Sequence, residues 1–222
     1  MLSSRKTQPV PGHNTDKLAV GKLPVVVCPG FHDASLTEGV IAALPDFVDC
    51  KVLEASPIAP MEVYSALVEC AGWLASSSQA ACPSLVGIGF SAGVVGLAGG
   101  LALWQQGNTP CRVSRLIAVD GWGVPLVGMP VTRFSHDRFT HLTSLPLGAG
   151  EVNFVAEPPV DHLTLWGQPE SVSGFEVGGW QRARDAGIPM TAAQCLRRVL
   201  HAEWNVAFSW RYAADRVVDG AG

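Results

Sequence analysis

Ser84-Leu85-Val86-Gly87-Ile88-Gly89-Phe90-Ser91-Ala92-Gly93-Val94-Val95-Gly96 joins a short apolar run to a longer one of helical length, with a glycine-flanked serine at the junction. Seven residues rich in Val, Ile and Leu predict a buried strand over 84–90, and the run from Ala92 to Gln106 predicts a helix. The junction reads G-x-S-x-G. A serine that attacks a carbonyl has to stand clear of its own backbone on a sharp turn, which demands small residues two positions to either side. The motif alone is weak in a chain with 24 glycines. Its place between a buried strand and a helix gives it weight, because parallel sheets bind ligands at the carboxyl ends of their strands and a helix offers its first amides to an anion. The plainer explanation of the same residues is a helix N-cap at Ser91 with two glycines for close packing.

Outward from this point, short β-branched runs alternate with helix-length segments, the pattern of βαβ units. Strands are predicted at 23–28, 51–55, 84–90, 114–120 and 151–157, and helices near 36–44, 61–74, 92–106, around Leu163 and over 192–208. Thr191 and Gln194 form a capping-box pair ahead of the last helix. The expected fold class is α/β, a mostly parallel central sheet of about five or six strands with helices on both faces. Residues 1–20 are polar and expected to be a flexible leader; residues 21–222 are expected to form one domain, interrupted by a Gly- and Pro-rich excursion at 121–150. The stretch Leu85–Trp104 is apolar enough for a membrane span and even holds Gly96 and Gly100 four apart. It opens as a strand, breaks at a turn and lacks flanking positive charge, so a soluble strand and helix are expected instead.

Hydrophobic residues make up 48% of the chain and charged ones 15%, which excludes disorder and favours a sheet buried on both faces. The net charge of −4 and the lack of a basic run exclude a nucleic-acid partner. None of the six cysteines is spaced C-x-x-C, and a chain of 222 residues has core enough without staples. Reduced cysteines and a cytoplasmic location are therefore expected.

A second motif, Cys28-Pro29-Gly30-Phe31-His32-Asp33, follows the first strand, and Leu116-Ile117-Ala118-Val119-Asp120 ends a later one in an acid. Strand, PGFH loop, helix, strand, helix, strand, GFSAG, helix and strand ending in Asp, in that order, resemble the α/β-hydrolase superfamily over about residues 23–165. VCPGFHD, GFSAGVVG and VDGWGVPL together are similar to short hydrolase-like proteins of cyanobacteria. The resemblance implies Ser91 as nucleophile, an oxyanion hole made by the backbone N–H of Ala92 with that of Phe31 or His32, and a triad in chain order Ser, acid, His. Asp120 then supplies the acid, with turn chemistry at Asp120-Gly121 as its competing explanation; Glu157, at the end of the next predicted strand, is the alternative acid. His162, on a short Pro-rich loop after that strand, is the expected base. His13, His201, His136 and His141 are weaker choices, the last two lying in RFSHDRFTH, a lid, a substrate-charge sensor or a solvated loop. Five strands where the superfamily core has eight imply a truncated member without a cap domain.

The expected activity is cleavage of a carboxylester or thioester with a lipophilic acyl group, through an acyl-enzyme on Ser91, with no metal and no cofactor. Trp122 and Leu126 of the excursion would form an apolar wall for that group. Two rivals stand beside it. One is a non-catalytic binding or scaffold protein that keeps the fold; the other is a peripheral membrane protein using aromatic and arginine residues of the C-terminal helix, for which simple packing of that helix on the sheet is the preferred alternative.

Overall fold

A computed structural model describes residues 21–77, 84–180 and 187–218, with side chains to 208. The expected leader lies outside these residues. Eight strands form one sheet in the order β2-β1-β3-β4-β5-β6-β7-β8. They are β1 (Leu23–Cys28), β2 (Val48–Val52), β3 (Ser84–Phe90), β4 (Arg112–Val119), β5 (Val131–Ser135), β6 (Val152–Ala156), β7 (Ser173–Gly178) and β8 (Ile188–Thr191). Neighbours from β2 through β6 run parallel, and β7 and β8 complete the sheet as antiparallel strands. The helices are α1 (Ala34–Ala42), α2 (Pro60–Glu69), α3 (Ala71–Ser77), α4 (Gly93–Gln106), α5 (Arg138–Ser144), α6 (His162–Gly167) and α7 (Ala192–Val218).

The α/β class and the mostly parallel sheet agree with the sequence; the strand count of five or six does not, because three strands escaped it. β5 sits inside the stretch read as an excursion, and its five residues, Val131 to Ser135, include a charged arginine that masks the strand pattern. β7 and β8 carry Ser, Gly, Glu and Pro at a sheet margin and so lack a continuous apolar signal. β2 also begins three residues earlier than expected, at Val48.

Strand parity divides the core in two. Val25, Val27, Ile88, Phe90, Ile117 and Phe134 pack on one face with Leu165, Trp166 and Leu200 of α6 and α7. Val26, Cys28, Leu116 and Ala118 pack on the other with Leu67, Val94, Leu97 and Leu101 of α2 and α4. The glycines that imitate a membrane-dimer motif serve this second layer. A side chain on Gly96 or Gly100 would strike Pro57 or Val63, so α4 lies directly on α2 and its approach. Among the described residues no helix is long and apolar enough to cross a membrane. The five described cysteines are free thiols, Cys28, Cys111 and Cys195 of them buried. Thr191 and Gln194 exchange the two bonds of a capping box at 2.8 and 3.2 Å and start α7 as the sequence predicts.

Arg133 organises the segment between β4 and β6. Only 2% exposed, it meets no carboxylate among the described residues; its guanidinium donates to the carbonyls of Gly148, Val124 and Leu147 at 2.7, 2.9 and 3.0 Å, with a longer contact to Gly121. Burial pulls its pKa down to about 10, so it stays charged at neutral pH. A planar fork of donors matches carbonyls arriving from both sides, which a lysine could not do. The solvated loop expected for RFSHDRFTH does not hold at this position: a cation sits in the interior because loop carbonyls satisfy it. Replacing Arg133 with Met should cost about 2–4 kcal/mol by stranding buried acceptors, and with Lys nearly as much. Urea unfolding measures this; a loss under about 0.5 kcal/mol for Arg133→Met would refute the stapling role.

Candidate active site

Three strand ends deliver the site. β3 and β4 are paired from Ser84 with Arg112 through Phe90 with Val119, and Val119 in turn faces Phe134 of β5. Each ladder runs one residue further by a single bond: Ser91 N–H donates to Val119 C=O at 2.9 Å, and Asp120 N–H to Phe134 C=O at 2.8 Å. Both residues then turn into the left-handed region, Ser91 at φ 52° and Asp120 at φ 50°. Aspartate tolerates that conformation; for serine it costs on the order of 1–2 kcal/mol, which the surrounding packing must sustain. A Cβ on Gly93 would lie 2.1 Å from the Cys28 carbonyl and one on Gly30 would lie 3.2 Å from Ser91 Cβ, so the Pro29–His32 loop abuts the serine turn.

Asp120 is the hub. Its Oδ1 accepts the His136 backbone N–H at 2.9 Å, while its Oδ2 lies 2.9 Å from His136 Nδ1 and 2.8 Å from His162 Nδ1. An ionised carboxylate has only acceptors, so both imidazoles carry their proton on Nδ1. Burial alone would push the Asp120 carboxyl up, but the hydrogen bonds from His136 and His162 outweigh it and hold the group below the ordinary carboxylate range. His136 is raised above its ordinary value, chiefly by its bond to Asp120.

The two imidazoles differ at their other nitrogen. His136 Nε2 lies 3.6 Å from the Asp137 carboxylate. His162 leaves Nε2 unengaged among the described residues, and its ring stacks on Phe90, the residue before Ser91, at 4.6 Å between centroids. Phe90 is itself stacked on buried Trp166 at 4.9 Å, so α6 and β3 set the plane of the His162 ring together. Ser91, His162, His136 and Asp120 line one pocket of about 340 Å³, walled by Trp122, Val124, Val95 and Thr140. No hydrogen bond joins the Ser91 hydroxyl to either ring.

The expected oxyanion donors separate on inspection. His32 N–H is bonded to the Gly30 carbonyl at 3.1 Å, whereas the N–H groups of Phe31 and Ala92 have no partner among the described residues. The His32 ring bonds the Asp33 carbonyl through Nδ1 and packs edge-on against Phe90 and Trp166, so it is a packing residue. Trp122 lies at the pocket as expected, its indole N–H on Thr143. Leu126 does not: 4% exposed, it belongs to the core beneath, because Leu126 N–H bonds Leu147 C=O and draws the segment inward. Glu157 is absent from the pocket, its backbone N–H going to Ser173 C=O at the β6–β7 connection. His201 packs on Phe47 along α7, His141 is buried in α5, and His13 lies outside the described residues.

The sequence offered His136 only as a weaker choice of base or as part of the RFSHDRFTH loop, and did not show its contact with Asp120. Val131-Thr132-Arg133-Phe134-Ser135 followed by His-Asp repeats the form of the strand end at Asp120, but the order of residues does not say that β5 lies beside β4. Asp120, His136 and His162 bring one donor atom each to within 4.8 Å of one another. With a proton on each Nδ1 the trio satisfies itself as one carboxylate accepting from two imidazoles, and the same three atoms lie close enough together to act as metal ligands. No family model matches the chain, and no curated protein matches it as a relative.

The two ionisations oppose each other in sign. Asp120, lowered, contributes stability above about pH 4 that is lost as pH falls through its folded value; His136, raised, contributes stability that is full below about pH 6.5 and lost as pH rises through its folded value. Thermal unfolding of His136→Asn should therefore show its largest Tm deficit near pH 5–6 and a smaller one at pH 9. Equal deficits at both pH values would contradict this charge coupling.

Proposed function

We propose that the chain is a serine hydrolase acting on a carboxylester or thioester with a lipophilic acyl group. One observation carries the reading: a serine held in strained backbone at a strand end shares a pocket with a histidine whose far nitrogen is tied to a buried, ionised aspartate. In this mechanism His162 Nε2 takes the Ser91 hydroxyl proton as the oxygen attacks the carbonyl carbon. The tetrahedral oxyanion accepts hydrogen bonds from Phe31 N–H and Ala92 N–H. His162, now charged, is held by Asp120, and passes the proton to the departing alcohol or thiol. Water deprotonated by the same imidazole then releases the acid and restores Ser91.

Trp122 and Val124 favour an apolar acyl portion. Among the described residues no Lys or Arg lines the pocket, which leaves the hub's imidazoles as its sole potential cations. Several apolar side chains remain exposed around the carboxyl end of the sheet, among them Phe31, Trp122, Phe139 and Leu163. The superfamily resemblance points the same way.

A fluorophosphonate probe should label the wild type and fail on Ser91→Ala, and His162→Ala should slow labelling by about 10³-fold or more. On a panel of p-nitrophenyl esters and acyl thioesters, kcat/KM should rise from acetyl to medium-chain acyl groups. Absence of labelling in folded protein would favour the non-catalytic binding reading instead.

A further inference from the structure

We infer that His136 is a positioning residue for the Ser91 reaction: by sharing Asp120 Oδ2 with His162, it sets how much of that carboxylate's charge supports the base and so imposes a second pH control on catalysis. The inference rests on the hydrolase reading and adds a residue that a three-membered triad does not require. Its ground is geometric. Two imidazole Nδ1 atoms reach one carboxylate oxygen at 2.9 and 2.8 Å, their rings edge-to-face with centroids 5.8 Å apart, while His136 N–H takes the other oxygen. The Val160 N–H on the His136 carbonyl, at 3.1 Å, ties the loop bearing His162 to the same strand end.

The groups facing His136 come from each surrounding element: Asp120 at the end of β4, Asp137 at the N-cap of α5, Asp161 at the N-cap of α6, and His162 itself. With three carboxylates around it, His136 takes up a proton readily. The proton sits on Nε2, facing Asp137, and leaves the Nδ1–H bond to Asp120 in place. Protonated, His136 neutralises part of the Asp120 charge and stands as a second cation beside the imidazolium that His162 must become. Deprotonated, it still orients the carboxylate through Nδ1–H and its backbone amide without that opposition. A merely structural His136 would leave the rate ratio of His136→Asn to wild type flat, or lower it at acid pH where the variant is least stable, whereas the electrostatic role raises it there.

The test measures the second-order rate of fluorophosphonate labelling from pH 5 to 9 in the full chain, for the wild type, His136→Asn and Asp137→Asn. Asparagine at 136 keeps a donor and never charges; asparagine at 137 keeps the helix cap and removes the carboxylate. The His136→Asn to wild-type rate ratio should climb about tenfold between pH 9 and pH 5.5, and Asp137→Asn should move the wild-type fall in rate to lower pH. A ratio constant with pH, with labelling still dependent on Ser91, overturns the inference alone. No labelling of any folded variant at any pH overturns the hydrolase reading and this one with it. Should His136→Asn fail to fold, Asp137→Asn decides: an unshifted acid limb counts against the proposal.

Discussion

One carboxylate oxygen carries the site. Asp120 Oδ2 is buried, and ionising it there is costly unless donors replace the water it has lost. Two imidazole N–H groups do so, with a backbone amide on the partner oxygen. The compensation holds His136 and His162, which come from different strand ends, in one place. A hydrogen-bonded charge in the interior is less forgiving than an apolar contact, because removing any donor leaves the rest of the charge unpaid.

That hub exists because parallel strands end in register. β3, β4 and β5 stop within a residue or two of one another, and the chain leaves each by a turn that brings a pocket-lining side chain over the sheet. Two of these residues sit in left-handed backbone, strain confined to the site and sustained by the ladder bonds behind it. Below, Phe90 and Trp166 stack in series under His162, so the apolar core on one sheet face reaches directly to the ring that would move the proton. Core packing therefore reaches a pocket side chain directly here.

The wall of the pocket depends on a different device. Residues 121–150 contain few long apolar runs, yet they hold their path because Arg133 gathers their carbonyls from below and β5 ties them to the sheet. A buried guanidinium satisfied by carbonyls is stabilising only while all of them are present, which makes this segment cooperative with the strand it leaves. Trp122 and Val124 then stand at the opening while Leu126 turns into the core.

Local patterns were enough to determine the α/β class, the β1, β3 and β4 strands, the serine turn and the capping box of α7, because each of these depends on residues adjacent in the chain; Asp120 and His162 entered as candidates through the superfamily resemblance, with Glu157 left open as the acid. Tertiary structure alone decided the sheet's margin and the company Asp120 keeps. β8 is the edge strand and β7 its antiparallel neighbour, both too polar to carry an apolar signal, β5 hides behind a buried arginine whose partners come from loops on both sides, and Leu126 and Trp122 share one segment but face opposite ways. His136 sits 16 residues from Asp120 and reaches it only through the parallel register of β4 with β5. A hydrogen bond across neighbouring strands is set by how the strands align, and a single chain read in order holds no record of that alignment.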